Sequence, residues 1–98
     1  MEIGRISGQV VSTVRAKELP YNALLMVDLL DKQGEPTGKM EVAIDVIGAG
    51  EGELVILVRG SSARNICGQN SPVDLAVVGI VDQLSSRGKT TYSKTAKD

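Results

Sequence analysis

Residues 42–64, VAIDVIGAGEGELVILVRGSSAR, constrain the fold more than any other stretch of this chain. Two apolar runs, 42–47 and 54–58, carry the two-residue period of a β-strand. Val42, Ile44 and Val46 face one way and Ala43, Asp45 and Ile47 the other, and Leu54, Ile56 and Val58 repeat the pattern. Between the runs, Gly48, Gly50 and Gly52 recur at every second residue. Glycine alone takes positive φ without steric cost, so this spacing predicts a bent backbone that its neighbours approach closely. The second run stops at Gly60. The corner Gly60-Ser61-Ser62-Ala63-Arg64 predicts a helix start, with Ser61 or Ser62 capping exposed amides and Ala63 and Arg64 favouring the helix.

The other apolar runs are strand-like too. Segment 1–14 reads as a long, curved first strand, with Ile6, Val10 and Val14 on one face and Gly4 and Gly8 as bend or bulge positions. A polar loop with Pro20 spans 15–22, and 23–30 (ALLMVDLL) reads as a strand covered on both faces. Segment 31–39 is a connection carrying Gly34, Pro36 and Gly38, and 65–72 is a polar excursion that holds Cys67. Segment 75–84 (LAVVGIVDQL) is a further strand with a bend at Gly79, 85–88 is a turn, and 89–93 is β-capable. At 98 residues this is one domain, spanning 1–93, with a flexible tail at 94–98. With 2% aromatic residues and no Phe or Trp, the core must come from Val, Ile, Leu and Ala. A sheet this small either closes or exposes edges that aggregate. The expectation is therefore a mainly β fold: a small OB-like β-barrel of five to six strands, with one or two short helical turns.

The composition excludes much chemistry. A net charge of −1 supplies no basic field for a polyanion. There is no His and a single Cys, which removes the usual general base, makes a zinc site implausible and rules out an internal disulfide. No apolar run approaches the roughly 20 residues of a membrane span, and no leader pattern opens the chain, so a soluble cytoplasmic protein is expected. The acids are dispersed, and Asp45 and Asp82 read as strand-end or ion-pair partners, not as a catalytic pair. The Gly48–Gly52 turn lacks the following helix that a phosphate loop needs, and Glu51 and Glu53 would repel the anion. Single-stranded nucleic acid would need a basic groove with stacking aromatics, and only Tyr21 and Tyr92 are on offer. Ser61, Ser62 and Arg64 could form an anion nest, but a carboxylate partner for Arg64, in its own or a neighbouring subunit, is the favoured reading. Cys67 is either a reactive thiol or, more simply, an inert surface residue. No catalytic constellation, cofactor site or metal site emerges. What is left over is apolar strand, more than so small a barrel can bury, and that surplus points to contact with further copies of the chain.

The motifs Gly8-Gln9-Val10-Val11-Ser12-Thr13, Leu24-Leu25-Met26-Val27 and Val42 through Gly50, followed by Gly60-Ser61-Ser62-Ala63-Arg64 and Pro72 through Asp82, carry a resemblance over nearly the whole chain. In this order and spacing the chain resembles the EutN/CcmL family, the pentameric vertex proteins of bacterial microcompartment shells, and is nearer its ethanolamine-utilisation branch. The resemblance implies a non-enzymatic, cofactor-free protein of the cytoplasmic microcompartment shell. It implies a homo-oligomer, a pentamer (with a hexamer as another ring order a crystal can hold), docked among hexameric shell proteins and binding neither nucleic acid nor membrane. Residue by residue, Ile47, Gly48, Ala49 and Gly50 match the turn at the ring axis or subunit interface. Gly60, Ser61, Ser62, Ala63 and Arg64 match the corner that contacts shell hexamers. Leu54 stands after Glu53 where many relatives would carry Trp. The alternative reading is an OB-type binding module for single-stranded nucleic acid or a small anion.

Overall fold

A computed structural model describes residues 1–68 and 70–94. The described chain forms β1 (Glu2–Val10), β2 (Leu24–Leu30), β3 (Pro36–Asp45), β4 (Leu54–Arg59), α1 (Ser61–Cys67), β5 (Leu75–Ile80), β6 (Gln83–Ser86) and β7 (Lys89–Ser93). Five strands close a barrel in the order β1-β2-β3-β5-β4, sealed by β1 against β4, while β6 and β7 pair separately as a hairpin. Its neighbouring strands are antiparallel except β3 and β5, which run parallel and share only the pairs Ile44–Ala76 and Asp45–Val77.

The alternation read from the sequence sorts the side chains into two layers. Ile6, Leu25, Val27, Ala43, Val55, Leu57, Leu75 and Val77 fill the barrel interior. Each fully buried aliphatic side chain of this kind contributes about 1.5–3 kcal/mol. Outside, Val10, Leu24, Ile44, Ala76 and Val58 lie in one cross-strand row. Helix α1 covers this row, with Ala63 fully buried against it.

Several boundaries differ from the sequence expectation. The β1–β2 register slips between Ile6 and Gly8, so Ile6 points inward and Val10 joins the outer row instead of sharing its face. The strand ends at Val10, and Val14 lies in the following loop, exposed. Strand β3 begins at Pro36, inside the expected connection, because the bulge at Gly38 (φ +88°) is bridged. The Thr37 hydroxyl donates to the Leu29 carbonyl at 3.0 Å and accepts the Lys39 N–H at 3.3 Å. The run 75–84 is two strands: buried Val81 still donates to the Leu54 carbonyl at 2.9 Å, and the chain then bends at Asp82 into β6. Gly79 marks close packing against Ile56, where a Cβ would lie 3.1 Å from the Ile56 Cδ1. The final turn is tighter than expected: Arg87 and Gly88, both at positive φ, join β6 to β7. Of the tail expected at 94–98, Lys94 is described and residues 95–98 lie outside the described chain.

Where β5 has not yet begun, β3 and β4 have no strand between them, and Arg59 spans the gap. Its guanidinium donates to both Glu2 carboxylate oxygens (2.8 and 3.0 Å) and to both Glu41 oxygens (2.9 Å each). These hydrogen bonds hold both carboxyls below the ordinary glutamate value of 4.5 and raise the Arg59 pKa. With folded values lower than unfolded ones, the stabilisation is complete above pH 4.5 and is lost as pH falls through the folded values. The groups are partly exposed, so the clamp contributes about 1 kcal/mol. Arg59→Met should lower stability in urea by that amount at pH 7, and the difference between wild type and variant should shrink as pH falls below 4.5. A difference that stays constant down to strongly acidic pH would contradict the clamp.

Candidate assembly interface

The turn after β3 is built on one buried carboxylate. Asp45 Oδ1 accepts the N–H groups of Ile47 (3.1 Å) and Gly48 (3.0 Å), and Oδ2 accepts that of Ala49 (3.0 Å). Of the two roles open to it in the sequence, strand-end partner is the one Asp45 takes. Gly48 sits at φ +85°, which a side chain would strain. The next residues are tied by Glu53, whose Oε1 accepts the Gly50 N–H at 2.6 Å while its Oε2 pairs with Lys94 at 2.7 Å. Gly52, at φ +88°, donates to the Ile6 carbonyl at 2.8 Å, which fastens the turn to β1. Gly50 is not at positive φ; its hydrogen is needed only because a Cβ would stand 3.3 Å from Glu53 Oε1. The outcome is a rigid turn with Gly48 and Gly50 on the surface and the Ile47 side chain substantially exposed. Beside it lies a cavity of about 260 Å³ bordered by Gly8, Leu25, Asp45 and Glu51, and both Asp45 carboxylate oxygens are already committed to backbone amides.

The second corner starts α1. Gly60 is the N-cap at φ +64°, and no side chain caps the helix, so Ser61 and Ser62 stay exposed and do not fill the capping role expected of them. Gly60 is held instead by backbone bonds, its N–H donating to the Asp74 carbonyl at 2.9 Å and its carbonyl accepting the Arg64 N–H at 3.1 Å. Buried Ala63 presses the helix onto the barrel. Arg64 is half-buried, and its guanidinium makes no ion pair or hydrogen bond among the described residues, so the expected partner is not one of them. Cys67 packs on the outer cluster, and burial pushes its thiol pKa up, away from thiolate reactivity. Gly60–Arg64 and the Asp45 turn lie at opposite ends of β4, so the structure does not merge them into one site.

Two residues passed over in the sequence organise much of this surface. Arg59 is one; its signal was a charge two positions beyond inward-facing Leu57. Arg15 is the other. Within the loop between β1 and β2 it donates to the carbonyls of Ser12 (2.9 Å), Pro20 (2.6 Å) and Asn22 (2.9 Å) and lies 5.9 Å from the Tyr21 ring centroid. No local pattern announces those contacts, which reach seven residues along the chain.

Residues 1–82 match the family described as ethanolamine utilisation protein EutN/carboxysome. The chain belongs to the EutN/CcmL family. It is 50% identical over 95 residues to the bacterial microcompartment shell vertex protein EutN of Salmonella typhimurium, covering 96% of each protein. Among solved structures, that of Gloeobacter violaceus CcmL superposes with a TM-score of 0.92 at 39% identity, covering 98% of this chain and 100% of that one. The GrpN pentameric microcompartment shell protein from Rhodospirillum rubrum superposes with a TM-score of 0.78 at 44% identity, covering 88% and 100%. The EutN/CcmL turn described above gives a ranked expectation. Asp45→Asn should cost about 2 kcal/mol, because three part-buried amides lose part of their charged acceptor. Gly48→Ala should cost about 1 kcal/mol, and Gly50→Ala less than about 0.5 kcal/mol. Urea unfolding checks the order; equal losses at Gly48 and Gly50 would contradict it.

Proposed function

We propose that this chain is a structural vertex subunit, five copies of which close into a ring that caps the corners of a bacterial microcompartment shell. A flat sheet of hexamers cannot close without fivefold points. A cyclic ring joins two different faces of each subunit in a heterologous contact. The observation that carries the reading is the likeness, along almost the full length of both chains, to a protein named a shell vertex protein and to a solved shell protein titled as pentameric. The relatives support this reading and not the nucleic-acid or anion module. None of the named relatives is an enzyme, and no helix among the described residues is long and apolar enough to cross a membrane.

Within the ring, Ile47, Gly48, Ala49 and Gly50 suit the axis or subunit contact. Small residues on a pinned turn let backbones approach closely, and the exposed Ile47 side chain gains a partner. Gly60, Ser61, Ser62 and Arg64 suit the seam with shell hexamers; Ala63 is fully buried against the barrel, so it fixes the helix and does not touch the partner. The Arg64 guanidinium is a planar fork of donors with no partner among the described residues, matched to carbonyls or carboxylates across a joint. Co-expression with shell hexamers tests the role by electron microscopy. Closed polyhedra should form with the wild-type chain, and elongated or open shells without it. Arg64→Ala should leave the ring intact and yield the open forms. Closed polyhedra in the absence of the chain would refute the vertex role, and closed polyhedra with Arg64→Ala would refute the seam.

A further inference from the structure

We infer that the ring contact seats the loop between β1 and β2 of one subunit on the outer face of β2 and β3 of the next; this rests on the ring reading above. The loop is inside out. Its polar interior is the Arg15 guanidinium gathering three carbonyls, and its apolar side chains point to solvent, Val11 at 82%, Val14 at 91% and Tyr21 at 85% exposure. A soluble loop ordinarily does the reverse. Leu19 anchors it to the outer cluster, so the exposed residues ride on a fixed base. Ordering such a loop before contact reduces the entropy lost on binding.

The receiving face is the part of the barrel wall that α1 leaves bare. Helix α1 covers the row through Leu24 and Ile44, but the adjoining row, Gly8–Met26–Val42, and Met40 beyond it have no covering element among the described residues. Met40 is 49% and Val42 44% exposed, and Gly8 leaves the row shallow. Strand β3 also has a free edge here, since β5 pairs only with Ile44 and Asp45. The charges match in sign: the loop carries Lys17 and Glu18, the wall carries Asp28 and Lys39, and none of the four has an ion pair among the described residues. The two patches differ in kind, one a loop and one a face of the barrel wall. A subunit that presents both can bind a copy on each side, as a closed ring requires and a twofold dimer does not.

The test uses full-length chains, sedimentation velocity and two substitutions at exposed positions, Val14→Glu and Val42→Glu. Wild type should sediment as a ring. Each variant should sediment as a folded monomer with its melting temperature nearly unchanged. Mixed one to one, the variants should form a heterodimer and stop there, because only one intact loop meets one intact wall. Val14→Lys combined with Val42→Glu in a single chain should recover the ring. A wild-type ring with either single variant still assembled would overturn the proposed contact and leave the ring reading standing, as would a mixture that stays monomeric. A wild-type monomer at micromolar concentration would overturn the ring reading itself.

Discussion

A five-stranded barrel built without Phe or Trp has room for one layer of aliphatic side chains, and every other feature of this protein adjusts to that limit. Ile6, Val27, Leu57 and Val77 fill the interior to nearly complete burial. The alternation that sends them inward sends Leu24, Met26, Val42 and Ile44 outward, and the seven-residue helix, with Leu19 and Val73 from neighbouring loops, covers only part of that outer side. The seam between β3 and β5 is short, so a guanidinium rather than a strand closes the rest of it. The protomer is thus well sealed inside and unfinished outside.

Charged side chains are spent mainly on holding irregular backbone. Asp31 accepts two N–H groups in the β2–β3 turn, Asp45 accepts three in the turn after β3, and Arg15 gathers three carbonyls in the first loop. Such bonds replace water around groups that neither helix nor sheet can satisfy. They explain how a chain with 11 glycines keeps its turns in fixed shapes. Arg64 departs from this economy. It stands half-buried on a helix anchored by Ala63, with its donors unused by the described chain.

Alternation and glycine spacing made the fold class, the barrel, the helical corner and most of the strands legible, because both signals are local. What stayed hidden depended on distant partners. The slip at Gly8 reverses the face of Val10, and only pairing with β2 reveals it. Pro36 and Gly38 look like loop residues until Thr37 is seen bonding across to Leu29. The serines after Gly60 look like caps, yet the positive φ of Gly60 turns the helix start by itself. At the candidate interface, the Asp45 turn and the Gly60 corner could be located from motifs. The inside-out loop could not, since its design rests on one arginine reaching carbonyls up to seven residues away.

Geometry, not reactivity, is what these features have in common: a closed barrel with two unlike apolar patches and, at a third place, a guanidinium without a partner among the described residues. Native mass spectrometry of the unmodified chain measures the outcome most directly. The account predicts one dominant species with five times the protomer mass of 10.3 kDa, persisting on dilution through the micromolar range. A spectrum dominated by the single protomer, folded and stable on its own, would contradict it.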